Sequence, residues 1–191
     1  MMLMMQVDGV KELKAAIDGT KKKLPRELKI AVNATAKKTR TMMSREVRKE
    51  LATKAKAVNK TINIVSRATE ISLSSTVRLS KTKRIPLRDF GARQTRQGVS
   101  YKISKSKGRG MVPGAFQGPK PGVMNTKWRG RVFKRVGKSR LPIAQLFGPS
   151  PWGIFVKRQL RTPVVRDGNA ELSKQIQRRV RFNLLKRQGL I

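Results

Sequence analysis

No aspartate or glutamate occurs between Phe90 and Arg166, apart from Asp89 just before and Asp167 just after, a run of 77 residues that carries 18 lysines and arginines. Like charges at that density repel one another, and no internal acid offsets them. The segment must therefore face bulk water, a polyanion or an acidic protein surface. The same run holds 11 of the 15 glycines and eight of the nine aromatic residues: Phe90, Tyr101, Phe116, Trp128, Phe133, Phe147, Trp152 and Phe155. Such a stretch predicts short strands separated by long basic loops, not a continuous helix.

The imbalance extends to the whole chain, whose formal net charge is +36 from 46 basic and 10 acidic residues. A charge so far from neutral weakens the compact state until a partner neutralises it. Nucleic acid and an acidic protein ring are the two candidate partners. At 191 residues with 38% apolar and 5% aromatic content, the chain can build one domain around a modest core, with extended arms.

Several chemistries are excluded or disfavoured. There is no Cys and no His, which removes disulfides, thiolate sites, thiol nucleophiles, the usual general base and the commonest metal ligand. A metal-dependent nuclease needs clustered carboxylates, whereas the acids here fall mostly on predicted helix surfaces and read as solvated charges. Gly137-Lys138-Ser139 resembles the end of a phosphate-binding loop, but Val132 stands where that loop needs its first glycine. The expectation is a protein that is not an enzyme and takes no cofactor and no metal. No apolar run approaches the roughly 20 residues that span a bilayer. The Met1–Met5 start lacks the basic leader of a secretory signal, so no membrane partner is expected, and the protein is expected in the cytoplasm until it is assembled.

In chain order, Asp8 caps a first helix with a Val10, Leu13, Ile17 stripe, interrupted at Gly19 and Thr20. Pro25 reopens a helix that runs to about Ala52. Its stripe reads Leu24, Leu28, Ala31, Thr35, Met42, Val47 and Leu51, with Val32 and Met43 beside it. So thin a stripe is expected to be covered by other subunits or to lie across a sheet. Residues 57–69 fit either a short helix or a strand at Asn63-Ile-Val. Ile71, Leu73, Thr76, Val77 and Leu79 fall at near-alternate positions and predict strand. Arg84–Phe90 reads as a short edge strand because of its proline, pairing with residues 99–104 in a hairpin or partly ordered loop. A further strand is expected at Arg131–Gly137, and Leu141–Phe147 leads into Gly148-Pro-Ser-Pro151. The last helix is predicted from about Gly168 to Lys186, with Leu172, Ile176, Val180 and Leu184 at every fourth position. The order predicts an α+β fold with N-terminal helices and a C-terminal amphipathic helix packed on a small antiparallel sheet. It is read as a single domain, 1–191: 1–55 helical, 70–166 basic and β-rich, and 168–188 the terminal helix.

Two basic clusters are the candidate contacts. Lys102, Lys105, Lys107 and Arg109 form one; Arg129, Arg131, Lys134, Arg135, Lys138 and Arg140 form the other. Such side chains touch phosphates without reading sequence, or meet an acidic partner. The alternative is a solvated basic surface, which the lack of any acid across 77 residues disfavours. Tyr101, Trp128, Phe133 and Phe147 could stack on bases, but core of a strand layer is the preferred reading.

Pro113-Gly-Ala-Phe116, Val132-Phe-Lys-Arg135, Gly137-Lys-Ser-Arg-Leu-Pro-Ile143 and Leu146-Phe-Gly-Pro-Ser150 together resemble the minor tail protein Z family of tailed bacteriophages and prophages. The likeness covers most of the chain, from the helical N-terminal third to the C-terminal helix, and brings no catalytic residues with it. It implies a structural virion protein that completes the tail at its head-proximal end, in the neck where head and tail join, on the path of the genome. It also implies a homo-oligomeric ring of six or twelve copies, with tail terminator, connector or tail tube proteins, genomic DNA or the tape-measure protein as neighbours. In that setting the loops at 91–110 and 117–131 order on assembly, burying Trp128, Phe133, Trp152 and Phe155 between subunits. The alternative function is non-specific nucleic-acid binding of a ribosomal or nucleoid-like kind.

Overall fold

The computed structural model describes residues 24–118 and 130–187, and the chain has the α+β architecture expected of it. The predicted helix at 8–17, Trp128, Arg129 and most of the 117–131 loop lie outside the described residues. The chain gathers into two compact units, one of Met1–Met43, Ile62–Leu79 and Gln159–Ile191, the other of Ser44–Thr61 and Ser80–Arg158. Among the described residues the strands form three small antiparallel sheets where one was expected.

The first unit is built on one long helix and the greater part of another, whose last residues, from Ser44, belong to the second unit. Helix α1, Leu24–Glu50, starts with Pro25 in its first turn, where the missing amide costs nothing, and ends with Arg48 and Lys49, which suit the negative end of its dipole. Leu28, Ala31, Thr35, Ala36, Thr39 and Met43 are buried along it. The series 31, 35, 39, 43 advances by four, so Met43 and not the expected Met42 takes the core position. At Thr35 the buried hydroxyl is satisfied by its own helix, donating to Ala31 O at 2.9 Å.

This stripe is covered from within the chain. Helix α4, Arg161–Arg187, packs Leu172 and Ile176 against Leu28 and Ala31, with Val32, Leu73 and Val180 at the margin. Helix α4 begins earlier than expected, because Pro163 is harmless in a first turn. The buried face extends back through Gly168 to Val164 in steps of four. Leu172→Ala is expected to lower the unfolding free energy by about 2–4 kcal/mol. Ser173→Ala, exposed one residue away, should stay within about 0.5 kcal/mol in the same urea titration.

Strands β1, Ile62–Ser66, and β2, Thr76–Leu79, form an antiparallel pair with an irregularity between Ile64 and Ser66. That settles the 57–69 ambiguity both ways: α2, Ala55–Asn59, precedes strand β1. Residues 71–75 are not strand, and Ile71 is fully exposed. The loop is anchored instead by Asn33, whose amide mimics a strand edge, donating to Ala68 O and accepting from Ala68 N, both at 3.0 Å. Beside it the Lys29 ammonium lies 2.5 Å from Glu70. The hydrogen bond and then the charge of Lys29 hold the Glu70 carboxyl below its ordinary range.

The second unit surrounds Phe90, which is wholly buried, as are Ile85, Leu87, Val99 and Val132. Residues 84–90 are not the predicted edge strand. Leu87–Phe90 is a 3-10 turn that Gly91 closes at φ 64°. The expected hairpin with 99–104 is absent as well. Leu87 N donates to Leu146 O at 3.1 Å and Gly148 N to Ile85 O at 2.8 Å, so this segment pairs about sixty positions downstream. A one-turn reversal satisfies the backbone while turning Leu87 and Phe90 inward together.

Strands β3, Arg93–Gln94, β4, Gly98–Tyr101, and β5, Gly110–Pro113, form the second sheet. Strands β6, Ala115–Gln117, β7, Val132–Arg135, and β8, Ile143–Gln145, form the third. Phe116 lies opposite Phe133 in the β6–β7 ladder, ring centroids 6.0 Å apart. Segment 91–110, expected as an arm ordered by neighbours, is ordered within this chain through the β3–β4–β5 ladder. Helix α3, Pro151–Lys157, is an addition to the expected elements, although Ser150 followed by proline is a recognised helix start.

Candidate polyanion-facing surfaces

The first basic cluster sits on the connection between β4 and β5. The first half of its backbone is tied down: Lys102 N donates to Phe90 O at 3.0 Å and Lys105 N to Glu50 O at 3.0 Å. Arg109 has an internal task, its guanidinium donating to Gly91 O at 2.7 Å and to Ser100 O and Oγ at 3.2 and 3.1 Å. Lys102 is half-buried, whereas Lys105 and Lys107 are exposed. Of the four, these last two are the side chains best placed to meet a partner.

The second cluster divides similarly. Arg131 is half-buried and donates to Gln145 Oε1 at 3.0 Å, bracing the start of β7 against the end of β8. Lys134 and Arg135 are both exposed, but as successive strand residues they project from opposite faces, so they do not form one patch. Lys138 and Arg140 are exposed in the β7–β8 turn, which Val136 N closes onto Pro142 O at 3.1 Å. The Leu141–Pro142 peptide in this turn is cis.

The expected interface aromatics are placed differently from one another. Phe133 and Phe155 are buried inside the unit, at 3% and 4% exposure, so they serve its core and offer nothing to a neighbouring subunit. Trp152 is half-buried with the Lys81 ammonium 5.4 Å from its ring centroid. Of the residues weighed for base stacking, Tyr101 is half-buried against Gly110, and Phe147 is exposed at 47%.

A third basic surface has no counterpart among the sequence expectations. In the first unit, α1 and α4 flank a groove of about 600 Å³. Lys37, Lys38 and Thr41 come from α1; Gln175, Arg178, Arg179 and Phe182 come from α4. Among the described residues no acid lines it. One of the lining cations, Arg179, also lies 3.8 Å from Glu27. A signal is present in the chain, since both sets recur at three- and four-residue spacing on one helix face. Taken one helix at a time it reads as ordinary solvated charge, because only the packing of α1 on α4 brings the two faces together.

Among the described residues no group of three or more carboxylates could hold a metal ion, and no helix is long and apolar enough to cross a membrane. What these surfaces can do chemically is hold negative charge through exposed ammonium and guanidinium groups. No protein family, curated protein or solved structure matches the chain.

Proposed function

We propose that the chain is a structural virion protein of the tail-completion type, acting at the head-proximal end of a phage tail. The observation that carries this reading is where the resembling residues lie. Ala115 and Phe116 are in β6, Val132–Arg135 is β7 and Ile143 begins β8, so most of the likeness falls on one hydrogen-bonded sheet and its turn, with Pro113 ending β5 and Leu146–Ser150 following β8. A motif that is also a structural unit is what a shared scaffold would retain.

The physical role follows from the charge. A chain at +36 gains compactness when acidic neighbours or DNA phosphates neutralise it. Assembly at the neck would supply both, through a connector or terminator ring and the genome that passes it. Its copies would form a homo-oligomeric ring, with contacts from the exposed cations Lys105, Lys107, Lys138 and Arg140 and not from Phe133 or Phe155.

The test is deletion of the gene in the phage or prophage that encodes it. Filled heads and finished tails should accumulate unjoined, and infective titre should return when the gene is supplied in trans. Joined, infective particles made without the protein would end this reading.

The helix-pair groove favours a second reading, non-specific nucleic-acid binding, because four cations without an acid among the described lining residues suit a phosphate backbone. Under it, purified protein binds duplex DNA with steep salt dependence and does not associate with tail or connector proteins.

A further inference from the structure

A cleft of about 740 Å³ opens on the second unit, walled by the β4–β5 connection, by Glu50 and by α3 with the residues leading into it. Among the described residues, two glycines on that wall meet no neighbour that would require glycine. Gly153 lies in α3, although glycine is a poor helix residue, and a Cβ built on it would meet no atom within 4 Å. Gly108 is equally open, and neither has the positive φ that would demand glycine. Gly148 differs, since the Phe90 ring already occupies its Cβ position. At Gly108 and Gly153 the missing side chain leaves the cleft wide enough to admit a chain.

The chemistry of the wall narrows what that is. Tyr101, Ile103, Pro149 and Ile154 supply an apolar lining. Lys107, Lys157 and Arg158 supply the cations, and among the described lining residues Glu50 is the one acid, already engaged by Arg158 at 3.2 Å. We propose that this cleft binds an extended, acidic peptide segment of a partner protein, its apolar side chains against the lining and its carboxylates against Lys107 and Lys157. A duplex backbone fits less well, because a concave, largely apolar cavity of this size is the form of small-ligand and peptide sites, whereas phosphates are met by open cationic surface. The inference stands on the cleft itself, whether or not the protein completes a tail.

At +36 the protein attracts any anionic peptide, so the decisive variant is one that leaves charge unchanged. Gly153→Leu fills the cleft, and it should fold at least as stably as the parent because leucine is the better helix former. The probes are fluorescein-labelled peptides of equal charge, one alternating glutamate with leucine, the other glutamate alone. The alternating peptide should bind the parent more tightly, and Gly153→Leu should weaken it by about tenfold. The glutamate peptide should bind both proteins within about twofold, and Lys157→Gln should weaken the alternating peptide further at fixed salt. Equal binding of the alternating peptide by parent and Gly153→Leu would overturn the proposal. A duplex DNA affinity that falls in Gly153→Leu while the peptide's does not would overturn it too, making the cleft a nucleic-acid site.

Discussion

Gly148→Ala is expected to destabilise the protein by about 1–3 kcal/mol, although the change adds a single methyl group. The added Cβ would collide with Cε2 of Phe90 and lie 2.9 Å from two further ring atoms. Contacts that short require something to move. The ring has little room, being 0% exposed, and the backbone is held by the Gly148 N to Ile85 O bond at 2.8 Å. Phe90→Ala should cost more, about 3–5 kcal/mol, because it removes a wholly buried aromatic side chain and leaves a cavity. The two sites should also be coupled. In the Phe90→Leu background the methyl has room, so the penalty of Gly148→Ala should shrink by about 1 kcal/mol or more in a double-mutant cycle. Urea unfolding reads all of these, and additive penalties would show that Phe90 and Gly148 do not share one packing constraint.

The second large effect concerns salt. If the helix-pair groove holds duplex DNA, neutralising Lys37, Lys38 and Arg178 to glutamine should flatten the plot of log affinity against log salt by about 2–3 units, roughly one for each phosphate left without its cation. Each cation removed leaves a counterion on the nucleic acid that binding no longer releases, so affinity should fall by nearly the same factor for every DNA sequence. The matched control neutralises Lys134, Lys138 and Arg140, exposed cations of the second unit. An equal flattening in both triples would mean that bulk charge, and not the groove, carries the interaction. A larger effect in the control would move the DNA to the basic strands and turn. Tail assembly without any change in either triple would favour protein neighbours over nucleic acid.

The elements legible in the chain are those whose signal is local. Helices α1 and α4 announce themselves by apolar residues at every fourth position and by prolines where a first turn accepts them. Strands β4 and β7 do so by alternation or by a short bulky run. The candidate cations are legible too, but not their jobs: Arg109 and Arg131 look like Lys107 and Lys138 in the sequence, yet the first two brace the backbone and a neighbouring strand.

By itself the sequence determined the α+β class, the excess of positive charge that no acid within 90–166 can offset, and the lack of thiol and imidazole chemistry. Tertiary structure alone decided that Leu87–Phe90 turns as a 3-10 segment, that Phe133 and Phe155 are core, that the described strands divide into three sheets, and that cations of α1 and α4 share a groove. The physical reason is range. Helix periodicity and net charge are sums over neighbours or over the whole chain, whereas Phe90 against Gly148 and Leu87 against Leu146 are pairings across dozens of residues. Nothing in either segment by itself names the other; only packing in three dimensions chooses the partner.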